Sequence, residues 1–435
     1  MDRALAPGLK FRLGLYRLIF PVVILLLLPR MIRRMRKRGN FRRNLGQRFG
    51  FFSKEFQSNL RGRKTIWLQS ISVGETQVAL RLAREWMRHD AELHVVLSVT
   101  TSTGFDLAER SDTDRLHVIY NPIDLAGIVR RTLDAVRPRA LVLVEGAWPV
   151  LVSEAWKRNI PVSLVARLSP RSARRFQRFR NWTGPVFALL DAVFVQEQED
   201  VQIWQNLGAR EGAIHCTGAI KYDEPPSEPR LRPEFQSLLH NLGASEAAPI
   251  LLAGSTFPGE EIILARTFLE LRKSVPGLFL ILVPRHVERT PEILKELSIL
   301  PLKVARRSES QPESADVLLV DTTGELRDWY SFATVVFIGK SLTSTGGQNP
   351  VEPALQGKPV VFGPHMENFA PIVRQWLACD AAVQVTDESD LRVRLEQLLH
   401  DRSLRERLSA NALQAISVHF GATQKVLTHL KQHTL

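Results

Sequence analysis

Thr65-Ile66-Trp67-Leu68-Gln69-Ser70-Ile71-Ser72-Val73-Gly74-Glu75-Thr76 is the stretch on which the fold turns. Residues 65–69 form a short β-rich apolar run, the strand ends at Ser70, and a glycine permits a tight turn. Glu75 then opens an amphipathic stretch that reaches residue 88. Outward from it the pattern repeats. Apolar runs occupy 93–99, 140–144, 162–165 and 192–195, with another amphipathic stretch at 125–136. Strands alternating with helices at this spacing imply right-handed βαβ units on a parallel sheet.

Glu224-Pro225-Pro226-Ser227-Glu228-Pro229 is proline-dense, polar and aperiodic, as a linker is. Beyond it strands are expected again at 250–253, 279–283, 317–320, 335–338 and 359–362. The expected fold class is α/β, with two Rossmann-like parallel-sheet domains facing a cleft that holds the ligand at the carboxyl ends of the strands. The spans expected are a basic segment over 1–48, an N-terminal domain over 49–224 and a C-terminal domain over 225–435. A last helical stretch, about 404–431, has no strand after it and is expected to pack back across the hinge.

The 435 residues, 44% hydrophobic and 24% charged, suffice for two domains with their own cores. They exclude a disordered, collagen-like or polytopic membrane chain. Two cysteines, Cys216 and Cys379, exclude a disulfide scaffold and a four-cysteine zinc site, and point to a reducing compartment. The net charge of +13 is concentrated: residues 1–48 hold thirteen basic side chains against Asp2 alone. The body is therefore nearly neutral, and nucleic-acid binding, which needs a basic folded face, is not expected.

Within that segment, Leu18 to Leu28 is a continuous apolar run bracketed by Arg17 and Arg30, shorter than the ~20 residues of a spanning helix. A basic block follows it where a secreted protein would carry a small-residue cleavage site. Such a block stays on the cytoplasmic side and is drawn to anionic lipid. An uncleaved membrane anchor, shallow or barely spanning, is the expectation; a buried core helix is the alternative, poorly served by so many basic residues.

Candidate functional residues cluster at the ends of these strands. Glu75 stands in a first helical turn, where the helix dipole favours an acid whatever its function. Glu145, in Leu143-Val144-Glu145-Gly146-Ala147-Trp148-Pro149, is a strand-end carboxylate that can equally bond neighbouring amides. In Ala166-Arg167-Leu168-Ser169-Pro170-Arg171-Ser172-Ala173-Arg174-Arg175 the arginines meet no acid; such forks suit phosphate oxygens, or form a solvated helix face. Lys221, in Thr217-Gly218-Ala219-Ile220-Lys221-Tyr222-Asp223, is either functional or a surface lysine before a linker.

In the second half, Gly254-Ser255-Thr256-Phe257-Pro258-Gly259-Glu260-Glu261 follows a strand and opens a helix, so its amides can receive a phosphate. Pro284 and Arg285 end another strand, and Asp321-Thr322-Thr323-Gly324-Glu325-Leu326 follows a third. Gly346-Gly347-Gln348-Asn349-Pro350-Val351-Glu352-Pro353 reads as a capping box, Asn349 to Glu352. The two glycines additionally let backbone approach a ligand.

From about Trp67 to about Gln384 the order of these motifs resembles the 3-deoxy-D-manno-octulosonic acid (Kdo) transferases, which add Kdo to the lipid A precursor. The resemblance implies the two-domain GT-B architecture and inverting transfer from CMP-Kdo, a nucleotide-sugar donor, to a phosphorylated glycolipid in lipopolysaccharide synthesis. It implies no cofactor or metal, and a place on the cytoplasmic face of the inner membrane. Glu75 maps to the catalytic base, Glu145 to a transition-state-stabilising carboxylate and Lys221 to a charge-offsetting lysine. Nucleotide contacts carry over to Pro284, Arg285, Thr323, Gly324, Glu325, Asn349, Pro350, Val351 and Glu352, and the phosphate-receiving loop and the double glycine add Ser255, Thr256, Gly346 and Gly347 as expected nucleotide contacts. Because the lipid A precursor is phosphorylated, the arginine forks of Arg167, Arg171, Arg174 and Arg175 are the expected acceptor contacts.

The sequence departs from the family pattern in places. The Glu145 segment is one residue shorter and lacks a second glutamate and an asparagine; Val165 replaces an asparagine, Thr323 a methionine and Gln348 a histidine. The alternatives are a membrane-associated transferase using a UDP-sugar and a membrane-tethered binding protein with a decayed site.

Overall fold

The structure, a computed structural model, describes residues 4–38, 44–111, 113–168, 170–225, 231–245, 247–309 and 314–434. The side chains of residues 27, 28, 30–38, 170, 171, 433 and 434 lie outside that description, as do most of the expected linker and of the basic block. The chain divides into two compact units: Met1–Asp223 with His419–Leu435, and Glu224–Val418.

The first unit is built on strands β1 (Lys64–Ser70), β2 (Leu93–Val99), β3 (Leu116–Tyr120), β4 (Ala140–Val144), β5 (Val162–Val165), β6 (Ala192–Val195) and β7 (Ile214–Cys216). All pair in parallel, in the order β3-β2-β1-β4-β5-β6-β7. Successive side chains leave opposite faces, and both faces are covered. Trp67, Val96, Leu141 and Leu143 enter one core; Ile66, Leu68, Val95 and Val142 enter the other. The second unit repeats the plan with β8 (Ile250–Thr256), β9 (Phe279–Pro284), β10 (Val304–Arg306), β11 (Val317–Leu319), β12 (Val335–Ile338), β13 (Val360–Phe362) and β14 (Val383–Gln384). Its parallel order is β10-β11-β9-β8-β12-β13-β14.

The ends of the chain differ from expectation. The single helical stretch at 404–431 is two helices, Arg402–Ser417 and Ala422–Thr434, parted by a turn in which Gly421 takes φ 76°. Ala422, Val426, Leu427 and Leu430 pack into the first unit's core, so residues 419–435 group with that unit rather than with a domain over 225–435.

Residues 1–48 do not form a separate segment either. Pro7–Arg38 is one helix of 32 residues. Leu5, Leu9 and Leu13, spaced to fall on one face, are buried in the first unit's core. Tyr16 donates to Asp124 Oδ2 (3.1 Å), and Arg17 pairs with Glu154 (3.0 Å). Asp124 also accepts the Val150 and Leu151 amides (3.0 and 2.8 Å), and burial pushes its carboxyl up to about 6. The helix therefore contributes to the core at its start, the basic residues lying mostly beyond the leucine stripe. Further along, Leu18, Ile19, Val22, Val23, Leu25 and Leu26 are exposed, Leu18 by 72% and Leu26 by 76%. Among the described residues no helix is long and apolar enough to cross a membrane, which leaves the spanning form of the anchor unsupported.

Candidate active site

In the first unit the candidate residues converge at the carboxyl ends of β1, β4, β5 and β7. Ser72 caps the helix Val73–His89, its hydroxyl accepting the Glu75 amide (3.4 Å). The Glu75 carboxylate reaches back, Oε2 accepting from the Ile71 amide (2.6 Å) and Oε1 from the Ser72 hydroxyl (3.0 Å). This is a capping box, and it fixes the carboxylate in a buried place. Burial raises its proton affinity above the ordinary carboxylate range, against the opposing pull of the Ile71 and Ser72 donors and of Arg167.

Glu145 follows β4 with φ 61°, a left-handed conformation that non-glycine residues hold only when their surroundings impose it. Its amide donates to Val165 O (2.9 Å), and the next amide, Gly146, folds back onto Val144 O (2.8 Å). A Cβ on Gly146 would stand 2.5 Å from Ile71 Cδ1, so the shortened segment packs against the residue that holds Glu75. Glu145 lies 3.8 Å from Arg167. Burial raises its affinity for a proton; Arg167 and Lys221 oppose that, and the Glu75 charge adds to it. Glu145, Arg167, Lys221 and Tyr222 line one small cavity.

Lys221 rides on the short turn Ile220–Tyr222, which is pinned from two sides. Arg81, two turns along the helix from Glu75, donates to Ile220 O (3.0 Å) and Asp223 O (2.7 Å). The Asp223 carboxylate accepts the Gly421 and Thr423 amides (both 2.6 Å), and the Ala219 amide donates to His419 Nδ1 (3.2 Å). Burial pushes His419 down to about 4, so that nitrogen stays an acceptor.

In the second unit the loops after β8, β9, β11 and β12 come together. Ser255 takes φ 57° where the β8–β9 register shifts between Gly254 and Thr256. Fully buried Glu260 ties two of these loops together: it accepts Phe257 and Lys340 on Oε2 (2.9 and 2.7 Å) and Ser341 and Leu342 on Oε1 (2.9 and 3.0 Å). Asn349 Oδ1 accepts the Val351 amide (3.1 Å), while Glu352 accepts the Asn349 side-chain amide (2.9 Å). Among the described residues no group of three or more His, Cys, Asp or Glu side chains is placed to hold a metal ion.

Residues 43–224 match the family described as 3-deoxy-D-manno-octulosonic-acid transferase (kdotransferase). The chain is 30% identical over 402 residues to the 3-deoxy-D-manno-octulosonic acid transferase of Haemophilus influenzae, covering 91% of this chain and 93% of that protein. To its namesake from Bordetella pertussis it is 32% identical over 383 residues, covering 84% and 86%. The chain belongs to the Kdo transferase family. It is a glycosyltransferase. Among solved structures, the UDP-GlcNAc 2-epimerase of Neisseria meningitidis superposes on it with a TM-score of 0.57, at 13% identity over 85% of this chain and all of that one. HepE of Anabaena, in complex with UDP and glucose, does so with 0.53, at 14% identity over 85% and 100%. At such identities these show a shared fold, the GT-B arrangement of two parallel-sheet α/β units.

Within this transferase the structure brings Glu75, Glu145, Arg167 and Lys221 together in the first unit. Arg174 and Arg175 lie exposed on the helix Pro170–Arg178 with no salt bridge among the described residues; the Arg171 side chain lies outside them. In the second unit Arg285, Thr323 and Gly324 are exposed at loop ends. Four expected nucleotide contacts are committed elsewhere. The buried Thr256 hydroxyl donates to Glu261 (2.8 Å), and Glu325 accepts from Arg307 (3.2 Å). The Gly346 amide donates to Glu367 (2.6 Å) and the Gly347 amide to Lys340 O (2.9 Å). The double glycine is thus needed for fit: a Cβ on Gly346 would stand 2.7 Å from the Asn368 side chain, and one on Gly347 would collide with Met366. Sequence reasoning passed over Glu260, Lys340, Arg81 and His419. For Lys340 there was a signal, a lysine between Gly339 and Ser341 directly after a strand.

Proposed function

We propose that the protein is an inverting transferase that moves Kdo from CMP-Kdo to a phosphorylated lipid A precursor at the cytoplasmic face of the inner membrane. The observation that carries this reading is the buried Glu75 carboxylate, whose proton affinity is raised and whose field is shared with Glu145, Arg167 and Lys221. A sugar hydroxyl is a weak nucleophile, and a positioned carboxylate that takes its proton accelerates attack about 10²–10⁴-fold. Lys221 and Arg167 offset the negative charge that gathers as the donor's glycosidic bond breaks. The second unit binds the nucleotide, with Arg285, Asn349 and Glu352 among its contacts. The exposed arginines of the helix Pro170–Arg178 take the acceptor's phosphates. The test is transfer of radiolabel from CMP-Kdo to a phosphorylated lipid A precursor by purified protein, with product anomer read by NMR. Label from a UDP-sugar instead, or from neither donor, would reject the reading.

The exposed apolar side chains of the N-terminal helix serve attachment in the plane of the membrane surface. Leu18, Val22 and Leu25 follow i, i+4, i+7 spacing and so share a face. Changing all three to serine removes ~1.5–3 kcal/mol of burial apiece. Flotation with anionic vesicles is expected to show binding reduced more than tenfold, with catalysis on a short-chain acceptor retained.

A further inference from the structure

We propose that Lys340 is a ligand for the phosphate of the donor nucleotide. This rests on the reading of the second unit as the donor-binding unit. Lys340 directly follows β12 and Gly339, at the carboxyl end of a parallel strand, where α/β sheets bind their ligands. It holds φ 59°, a conformation that opposes any residue with a Cβ and that glycine adopts freely. The surroundings impose it: the Lys340 amide donates to Glu260 Oε2 (2.7 Å), and its carbonyl accepts the Gly347 amide (2.9 Å). Glycine would satisfy both bonds without strain. A lysine kept in such a place points to work done by its side chain.

The ammonium group is placed for an anion. Nζ lies 5.0 Å from the centroid of the Phe257 ring, in the loop after β8, and 3.4 Å from where a Cβ on Gly346 would stand. Among the described residues it forms no salt bridge. The nearby carboxylates are occupied, Glu260 by four amides and Glu367 by Gly346 and His365. The Gly346 and Gly347 amides are likewise bonded within the protein, so positive charge for a phosphate on this side must come from a side chain. Lys340 supplies it between the loop after β8 and the double glycine.

The experiment compares binding of CMP and of cytidine to the full chain carrying Lys340→Gly, Lys340→Met or Lys340→Arg. A charge-assisted bond to phosphate is worth about 10- to 100-fold in affinity. Lys340→Gly and Lys340→Met are expected to weaken CMP by that factor and leave cytidine unchanged, while Lys340→Arg stays within about threefold of the parent. Lys340→Gly relieves the left-handed strain, so its thermal midpoint is expected not to fall although its activity does; a purely structural role would lower both. Asn349→Ala is measured in parallel. If it weakens CMP and Lys340→Gly does not, the proposal is overturned and the donor-site reading stands. If neither variant affects CMP, that reading fails and the proposal with it.

Discussion

Glu75→Gln is expected to lower kcat about 10²–10⁴-fold with CMP affinity intact, the range for loss of a positioned general base. Glutamine suits this test because the carboxylate has two tasks. One oxygen accepts the Ile71 amide and the other the Ser72 hydroxyl. A glutamine oxygen can still accept from Ile71, so the helix cap survives in part while the base is removed. A melting midpoint close to the parent's, together with collapsed turnover, would separate catalysis from capping. Near-parental turnover would remove Glu75 from the mechanism.

The pH profile provides a second readout. As the proposed base, Glu75 would work only when ionised, and burial raises its proton affinity. Activity is therefore lost, as pH falls, at a higher pH than for a solvent-exposed carboxylate. Glu145 is raised too, partly by Glu75 itself, so the acid limb of kcat/KM belongs to the pair. Removing the Glu75 charge is expected to move whatever limb remains toward lower pH, since Glu145 loses a repelling neighbour.

Legibility in the sequence followed burial. Every interior strand of both sheets was readable from a short apolar run, because a parallel strand covered on both faces needs apolar side chains on both. The strands not anticipated are β3, β7, β10 and β14, the four sheet edges. Three of them are short and partly exposed, as in Ile214-His215-Cys216 and Val383-Gln384, so no apolar run marks them, whereas β3 carries the run Val118-Ile119-Tyr120 and was passed over. The N-terminal helix misled for the opposite reason. The core contacts at this end, Leu5 just before the helix with Leu9 and Leu13 on it, are only three residues deep and are masked by the stronger signals of an apolar run and a basic block.

The site was legible where a residue type announces its chemistry and obscure where geometry assigns the task. Glu75, Glu145, Arg167 and Lys221 were singled out because acids and bases at strand ends are conspicuous, and the structure places them near one another. The double glycine was found for an incomplete reason, because composition does not say which acceptor an amide meets. Here Glu367 and Lys340 O take them. Glu260 is the clearest omission: in sequence it is one of two acids opening a helix, and only the fold reveals two loops hanging from it.

That arrangement makes Glu260→Ala the largest expected effect on stability. The substitution leaves the buried Ser341 amide and the part-buried Phe257, Lys340 and Leu342 amides without their acceptor. An unsatisfied buried donor costs about 1–3 kcal/mol, and local relaxation returns part of that, so the second unit is expected to lose about 3–5 kcal/mol. This is a large fraction of the ~5–15 kcal/mol that holds a typical domain folded. Burial raises the proton affinity of Glu260 despite its four donors, so the charge is itself a burden and the amides are what make removal costly. Glu260→Gln separates the two contributions: it discards the charge but turns an NH₂ toward two of the four donors, and is expected to lose about half as much. Hydrogen exchange should show the Ser341 and Leu342 amides opening first, with CMP binding lost alongside. Slow exchange at both amides in Glu260→Ala would mean that the loops after β8 and β12 are held by something other than this carboxylate.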